Sequence, residues 1–249
     1  MLPFLQMPFR IRAVNTASDS ENRIHDNRVA AEYGFRGGLV PGVTIYGYLA
    51  SAVIDRLGKD WLHHGALDVR FFEPFYEGEE VEISIAGLLE GRIKVEAAKR
   101  ASATAWLLNL PPSTDYPAEA NAPKQPAESI RTGQTLSTLE KTLDLSNQGL
   151  SAPLDAFIGP ERYASPAIVL GLANELLMHN YVLGPWIHAA SEVRNSEAAH
   201  DGQQVQVRGK IVDAYERKGH EFVVLDAAIL SAGVMLSRIR HTAIWKPRK

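Results

Sequence analysis

The sequence predicts an α+β fold built twice, with two antiparallel sheets each wrapped around a long buried helix. Three observations predict it. The first is an internal repeat. In the first half, Gly42 opens an apolar stretch, followed by Trp61-Leu62-His63, Val69-Arg70, Gly78 and Val81. In the second half, Pro166 opens an apolar stretch, followed by Trp186-Ile187-His188, Val193-Arg194, Gly202 and Val205. The offset is 125 at the tryptophans and 124 from the valines onward, and a period near half the chain length marks a fused pair of like units.

The second observation is helical periodicity. Pro41 stands at a helix start, where its missing N–H costs nothing. From Val43 to Leu57 the apolar residues Val43, Tyr46, Leu49, Ala50, Val53, Ile54 and Leu57 keep helical spacing, and charge enters only at Asp55 and Arg56. A helix so apolar is buried nearly all round, and Gly58 ends it. The repeat supplies a second such helix from Pro166 to Tyr181, with Ile168, Val169, Leu172, Ala173, Leu176 and Leu177 on one face.

The third observation is the run of strands after each helix. Residues 66–72, 81–88, 93–99 and 102–110 alternate or run apolar between turn residues in the first half. Residues 190–193, 205–212, 221–230 and 234–245 do so in the second. A strand opens each half, at Phe9 to Val14 and Leu139 to Leu145, and a short helix over Asp26 to Tyr33 closes at Gly34. Residues 111–133 are rich in Pro, Ala, Ser and Thr without apolar period and read as a linker. The predicted division is a first unit over 1–111, a linker over 112–134 and a second unit over 135–249.

Composition narrows the function. With 45% hydrophobic and 22% charged residues the chain is of ordinary globular type. A net charge of -3 gives no basic footprint for nucleic acid. The absence of cysteine excludes disulfides and thiolate sites. Met1 to Phe9 has no basic n-region and is broken by Pro3 and Pro8, so it does not read as a signal peptide. No apolar run reaches the ~18 residues of a membrane span. A cytoplasmic protein without membrane attachment is the expectation.

One polar segment precedes the first helix: Asn22-Arg23-Ile24-His25-Asp26, then Ala30, Gly34-Phe35, Gly37-Gly38 and Val40-Pro41-Gly42. It resembles the hydratase motif of the MaoC-like family, matching it at Asn22, Ile24, His25, Ala30, Gly34, Phe35 and Gly42. Together with the duplication, the chain resembles double-hotdog proteins of that family along nearly its whole length. The resemblance implies addition of water to 2-enoyl thioesters of coenzyme A or acyl carrier protein, or the reverse dehydration, without cofactor or metal. It assigns catalysis to His25, to a carboxylate and to the N–H of Gly42 as oxyanion donor. Asn22, Gly38, Val40 and Pro41 would contact substrate.

Two positions depart from the pattern. The motif's Asp falls on Ser20, leaving Asp19, one residue earlier, as the partner if the loop is bulged. The residue before the helix glycine is Pro41 rather than His. Val40-Pro41-Gly42 resembles instead the helix start of the β-hydroxyacyl-carrier-protein dehydratases, whose helix Glu corresponds to Gly47 here. The repeat puts Leu150 opposite His25, so one site per chain is expected. His63 and His188 occupy equivalent positions and read as serving the fold, Asp26 as a helix-start charge, and Arg23, Arg28 and Arg36 as solvated side chains or phosphate contacts. Hydrolysis of acyl thioesters on the same fold and acyl binding without catalysis remain as alternatives. A homodimer of the fused pair stays open.

Overall fold

The computed structural model describes residues 8–145 and 161–248. Leu150, the repeat partner of His25, and residues 1–7 lie outside them. In chain order the elements are β1 (Phe9–Arg12), a 3-10 turn (Arg23–His25), α1 (Asn27–Glu32), α2 (Gly42–Leu57) and α3 (Trp61–His64). Then come β2 (Gly65–Phe71), β3 (Glu80–Leu89), β4 (Arg92–Ala97), β5 (Ala101–Leu107), β6 (Gln125–Pro126) and β7 (Leu139–Thr142). They are followed by α4 (Pro166–Asn180), β8 (Tyr181–Val182), β9 (Ile187–Asn195), β10 (Gln204–Arg217), β11 (His220–Ser231) and β12 (Val234–Lys246).

The two expected sheets are one. Ten antiparallel strands run in the order β1-β3-β4-β5-β2-β9-β12-β11-β10-β7. The left five and the right five repeat the same topology, mirrored about the β2–β9 seam. Each half alone would end on a strand with unpaired N–H and C=O groups; pairing the two edges satisfies both. The seam registers Ala66 with Arg194 through Arg70 with Ala190. Asp68 faces Glu192 there, and these positions lie 124 apart in sequence, so the local twofold passes through the offset read from the repeat. Arg194 crosses the seam to Asp68 at 2.6 Å and stacks on Trp106.

Helix α2 is buried from Thr44 to Ile54. It packs on β2 to β5, on β9 and on α4, so the long helices touch each other as well as the sheet. One continuous apolar core carries Ile45, Leu49 and Val53 from α2, and Leu172, Leu176 and Leu177 from α4.

The segment read as a loose linker is tied down. Residues 112–124 form no helix or strand, yet Ala120 and Ala122 donate to the hydroxyls of Thr138 and Ser137 at 3.1 and 3.2 Å. Short strand β6 pairs in parallel with β8, and Ala127 and Ile130 enter the main core. A Pro- and Ala-rich composition excludes an apolar period, but it leaves most backbone groups free to bond neighbouring side chains.

Candidate active site

His25 sits at the end of the 3-10 turn, whose backbone is held by its neighbours. Asn15 donates to its carbonyl at 2.9 Å. The N–H of Leu39 donates to the carbonyl of Ile24 at 3.2 Å. A Cβ on Gly38 would stand 2.0 Å from the His25 carbonyl oxygen, so only glycine lets the 37–39 loop close over the turn. Asp26 accepts from the N–H groups of Arg28 and Val29 at 2.9 and 3.0 Å and starts α1. The Val29 N–H in particular holds its carboxyl below the usual carboxylate range. Asp26 is a helix cap.

The ring of His25 has a fixed tautomer. Its Nδ1 lies 2.7 Å from the Leu39 carbonyl oxygen, which can only accept, so Nδ1 carries the proton and Nε2 is bare. Burial pushes its pKa below the ordinary histidine value, and Nε2 is therefore a free base at neutral pH. The Asn22 amide nitrogen lies 3.4 Å from Nε2, a long contact that an incoming proton can displace.

Asn22 clamps the two halves together. Its Oδ1 accepts from the N–H groups of Trp186 at 3.1 Å and Ile24 at 3.3 Å, and its Nδ2 donates to the Trp186 carbonyl at 2.9 Å. The pair fixes the histidine turn to the start of β9. Asn22→Ala strands the buried Trp186 N–H and C=O, and it should lower the unfolding free energy by about 2–3 kcal/mol. An unchanged denaturant midpoint would show that the clamp contributes nothing.

His25 opens onto a cavity of about 330 Å³. Ile24, Ile45, Phe71 and Phe75 give it apolar walls, and Asn22, Val40, Pro41 and Gly42 line it beside His25. Helix α2 begins there with no side-chain cap, so the positive end of its dipole faces the cavity. In α4, by contrast, Ser165 caps the N-terminus by accepting from Ala167 at 3.1 Å.

The structure does not bring two expected residues to the cavity. Asp19 is exposed in the turn after β1, outside the lining. Ser20, at the motif's Asp position, donates to the Asn22 carbonyl at 3.1 Å. Gly38 lies behind the turn and not on the wall. The one carboxylate among the lining residues is Glu73, on the loop after β2, for which the sequence carries no signal. Arg36 pairs with Glu79 and lies over Tyr76, and Arg23 pairs with Asp26.

His188 is the residue that the repeat misread. His63 points outward to Glu197 at 3.2 Å, as a structural residue would. His188 instead lines the cavity and is buried against Gly42, where a Cβ would stand 2.6 Å from its Nδ1. Its Nε2 meets the Ser191 hydroxyl at 2.8 Å, and that hydroxyl meets His241 Nδ1 at 3.0 Å. Alternation along a strand would put residues 188 and 191 on opposite faces. The pairing with β12 slips between Thr242–Ala190 and Ala243–His188, so Ala189 is an extra residue that returns His188 to the inner face. Burial, more than the adjacent His241, drives the His188 pKa well below the histidine value, and burial takes that of His241 to about 3.

Among the described residues no group of three or more His, Asp or Glu could hold a metal ion, and no helix is long and apolar enough to cross a membrane. No family model matches the sequence, and no curated protein matches it. Solved structures do. A Chloroflexus aurantiacus protein provisionally assigned as a MaoC domain protein dehydratase superposes with TM-score 0.61 at 11% identity, over 97% of this chain and 94% of that one. A conserved hypothetical protein of Mycobacterium tuberculosis with a double hotdog fold gives 0.57 at 13% identity, over 90% and 88%. A Lactobacillus plantarum protein provisionally assigned as an oleoyl thioesterase gives 0.53 at 12% identity, over 97% and 96%. The chain has the double hotdog fold, and in structure it is similar to MaoC-like dehydratases.

Proposed function

We propose that the cavity binds an acyl thioester and that the protein hydrates 2-enoyl thioesters or dehydrates the 3-hydroxy form. The observation that carries this reading is the bare Nε2 of His25 beside the uncapped start of α2. A base and an oxyanion site in one apolar pocket are the two requirements of the reaction. Dehydratase neighbours on the same fold agree with it.

One histidine suffices for the proton balance. His25 Nε2 removes a proton from water as the oxygen bonds to the β-carbon. The double-bond electrons move onto the thioester oxygen, where the Gly42 N–H meets the enolate charge. The protonated Nε2 then returns the same proton to the α-carbon, which leaves the histidine neutral again.

A second reading is favoured by a thioesterase neighbour. The same base could direct water at the carbonyl carbon and release the thiol. Incubation with short and medium 2-enoyl-coenzyme A separates the two. Loss of the conjugated absorbance without free thiol is the expected result. Thiol release would replace hydration by hydrolysis, and binding with neither would leave an acyl-binding module.

A further inference from the structure

Six buried side-chain polar atoms have no protein partner among the described residues, and three of them belong to residues that line the cavity: Asn174 Oδ1, Trp186 Nε1 and His188 Nδ1. Buried polar atoms are nearly always satisfied, so orphans on residues that line one cavity point to a polar ligand group there. His188 is the most constrained of the three. Its ring is held between Phe71 and His241, with centroids 4.8 and 4.3 Å away. Its Nδ1 edge rests against the Cα of Gly42, the first residue of α2.

We infer that His188, from the second half of the chain, is a hydrogen-bond donor to the thioester oxygen, acting through Nδ1–H beside the N–H of Gly42. The inference rests on the acyl-thioester reading of the same cavity, but not on which reaction follows.

The Ser191 hydroxyl decides which nitrogen of His188 carries the proton. That hydroxyl has one proton and lies between two ring nitrogens. If it donates to His241, then His188 Nε2 carries the proton and His188 Nδ1 is bare. His241 must then carry its own proton on Nε2, which is buried without a partner among the described residues and does not line the cavity. If the hydroxyl donates to His188 Nε2, then His241 Nδ1–H donates to Ser191 and the orphan N–H falls on His188 Nδ1 at the cavity wall. Orphaned buried N–H donors are rarer than unused lone pairs. The second arrangement places the unpaired donor on the residue that lines the cavity. Ser191 and His241 are thus positioning residues, and the extra residue Ala189 makes their network possible.

The chemistry suits the role. Burial holds His188 neutral, and the positive end of α2 works in the same direction. A neutral imidazole kept beside a helix N-terminus polarises a carbonyl without transferring its proton. The site would thus draw its base from one half of the chain and one of its two oxyanion donors from the other. This gives the second half a part in the site although it lacks the His25 motif.

The test uses the full chain and two probes, butyryl-coenzyme A and the butyl thioether of coenzyme A, which lacks only the carbonyl oxygen. Two variants separate the ring nitrogens. The amide of His188→Asn can place an N–H near the Nδ1 position. The amide of His188→Gln reaches the Nε2 position and keeps the contact with Ser191. Wild type should bind the thioester about tenfold more tightly than the thioether, the worth of a hydrogen bond or two. His188→Asn should retain that preference and His188→Gln should lose most of it. A preference unchanged in His188→Gln, or lost equally in both variants, would overturn the proposal. Nitrogen NMR of the ligand-free protein should show His188 protonated at Nδ1, and the opposite tautomer would overturn it even if thioesters bind. If wild type binds neither probe, the acyl-thioester reading itself falls.

Discussion

His25→Ala should lower kcat for enoyl-thioester hydration by ~10²-fold or more, the usual worth of a positioned acid–base group. Of the other lining residues, His188 faces Gly42, Asn22 is spent on Trp186, and His220 accepts from the Arg248 N–H through Nδ1 at 3.0 Å. The fold should survive. The side chain is only partly buried, and its one short bond, to Leu39, is worth about 1 kcal/mol. The wild-type rate should fall on the acid side as Nε2 takes up a proton. Because burial lowers the His25 pKa, that limb should lie below about 6.5, the ordinary histidine value. Steady-state kinetics from pH 4.5 to 8 read both effects. Full activity in the alanine variant would remove His25 from any catalytic mechanism, hydratase or hydrolase.

Acid should unfold this protein through His188 and His241. Both have folded-state pKa values below the unfolded value of about 6.5, chiefly from burial, and for His241 the folded value is about 3. Below pH 6.5 the unfolded chain therefore binds protons that the folded chain refuses, and stability must fall with pH. Each histidine contributes a slope of about 1.4 kcal/mol per pH unit once well below its unfolded value. Between pH 6 and 4.5 His241 should thus remove about 2 kcal/mol, and His188 acts in the same direction. Asp26 and Asp201 act in the same direction, but only near and below pH 4, where unfolded carboxylates titrate. Denaturant midpoints measured from pH 7.5 to 4.5 would show the loss, and a flat profile to pH 5 would refute it. Above pH 7 neither histidine contributes a slope.

Much of this architecture was legible because it rests on local periodicity. The spacing from Val43 to Leu57 needs no tertiary information to demand burial, and α2 spans Gly42 to Leu57. The strands from Val81 onward follow from alternation and from turns such as Gly91, where φ is +74°. The motif residues His25 and Gly42 meet at one cavity because the sequence keeps their loop and helix start close. Asp19 illustrates the limit of motif matching. A spacing can suggest that a carboxylate is near, but the direction of a turn is set by its backbone, and here Asp19 faces outward. The linker shows the same limit, since residues without a period can still be held by Ser137 and Thr138.

By itself the sequence determined the duplicated α+β plan, the two helices and the place of the histidine motif, because each depends on side-chain period or on neighbours along the chain. The tertiary structure decided how the halves join and what shares the cavity. The β2–β9 seam that makes one sheet of two is an exchange of backbone hydrogen bonds, to which side-chain patterns are blind. The Asn22–Trp186 clamp joins residues 164 apart. The network of His188, Ser191 and His241 exists because one extra residue at Ala189 reverses the facing of β9. Two repeat-related histidines, His63 and His188, thereby acquire opposite surroundings: one lies at the surface beside Glu197, and the other is buried against the start of α2.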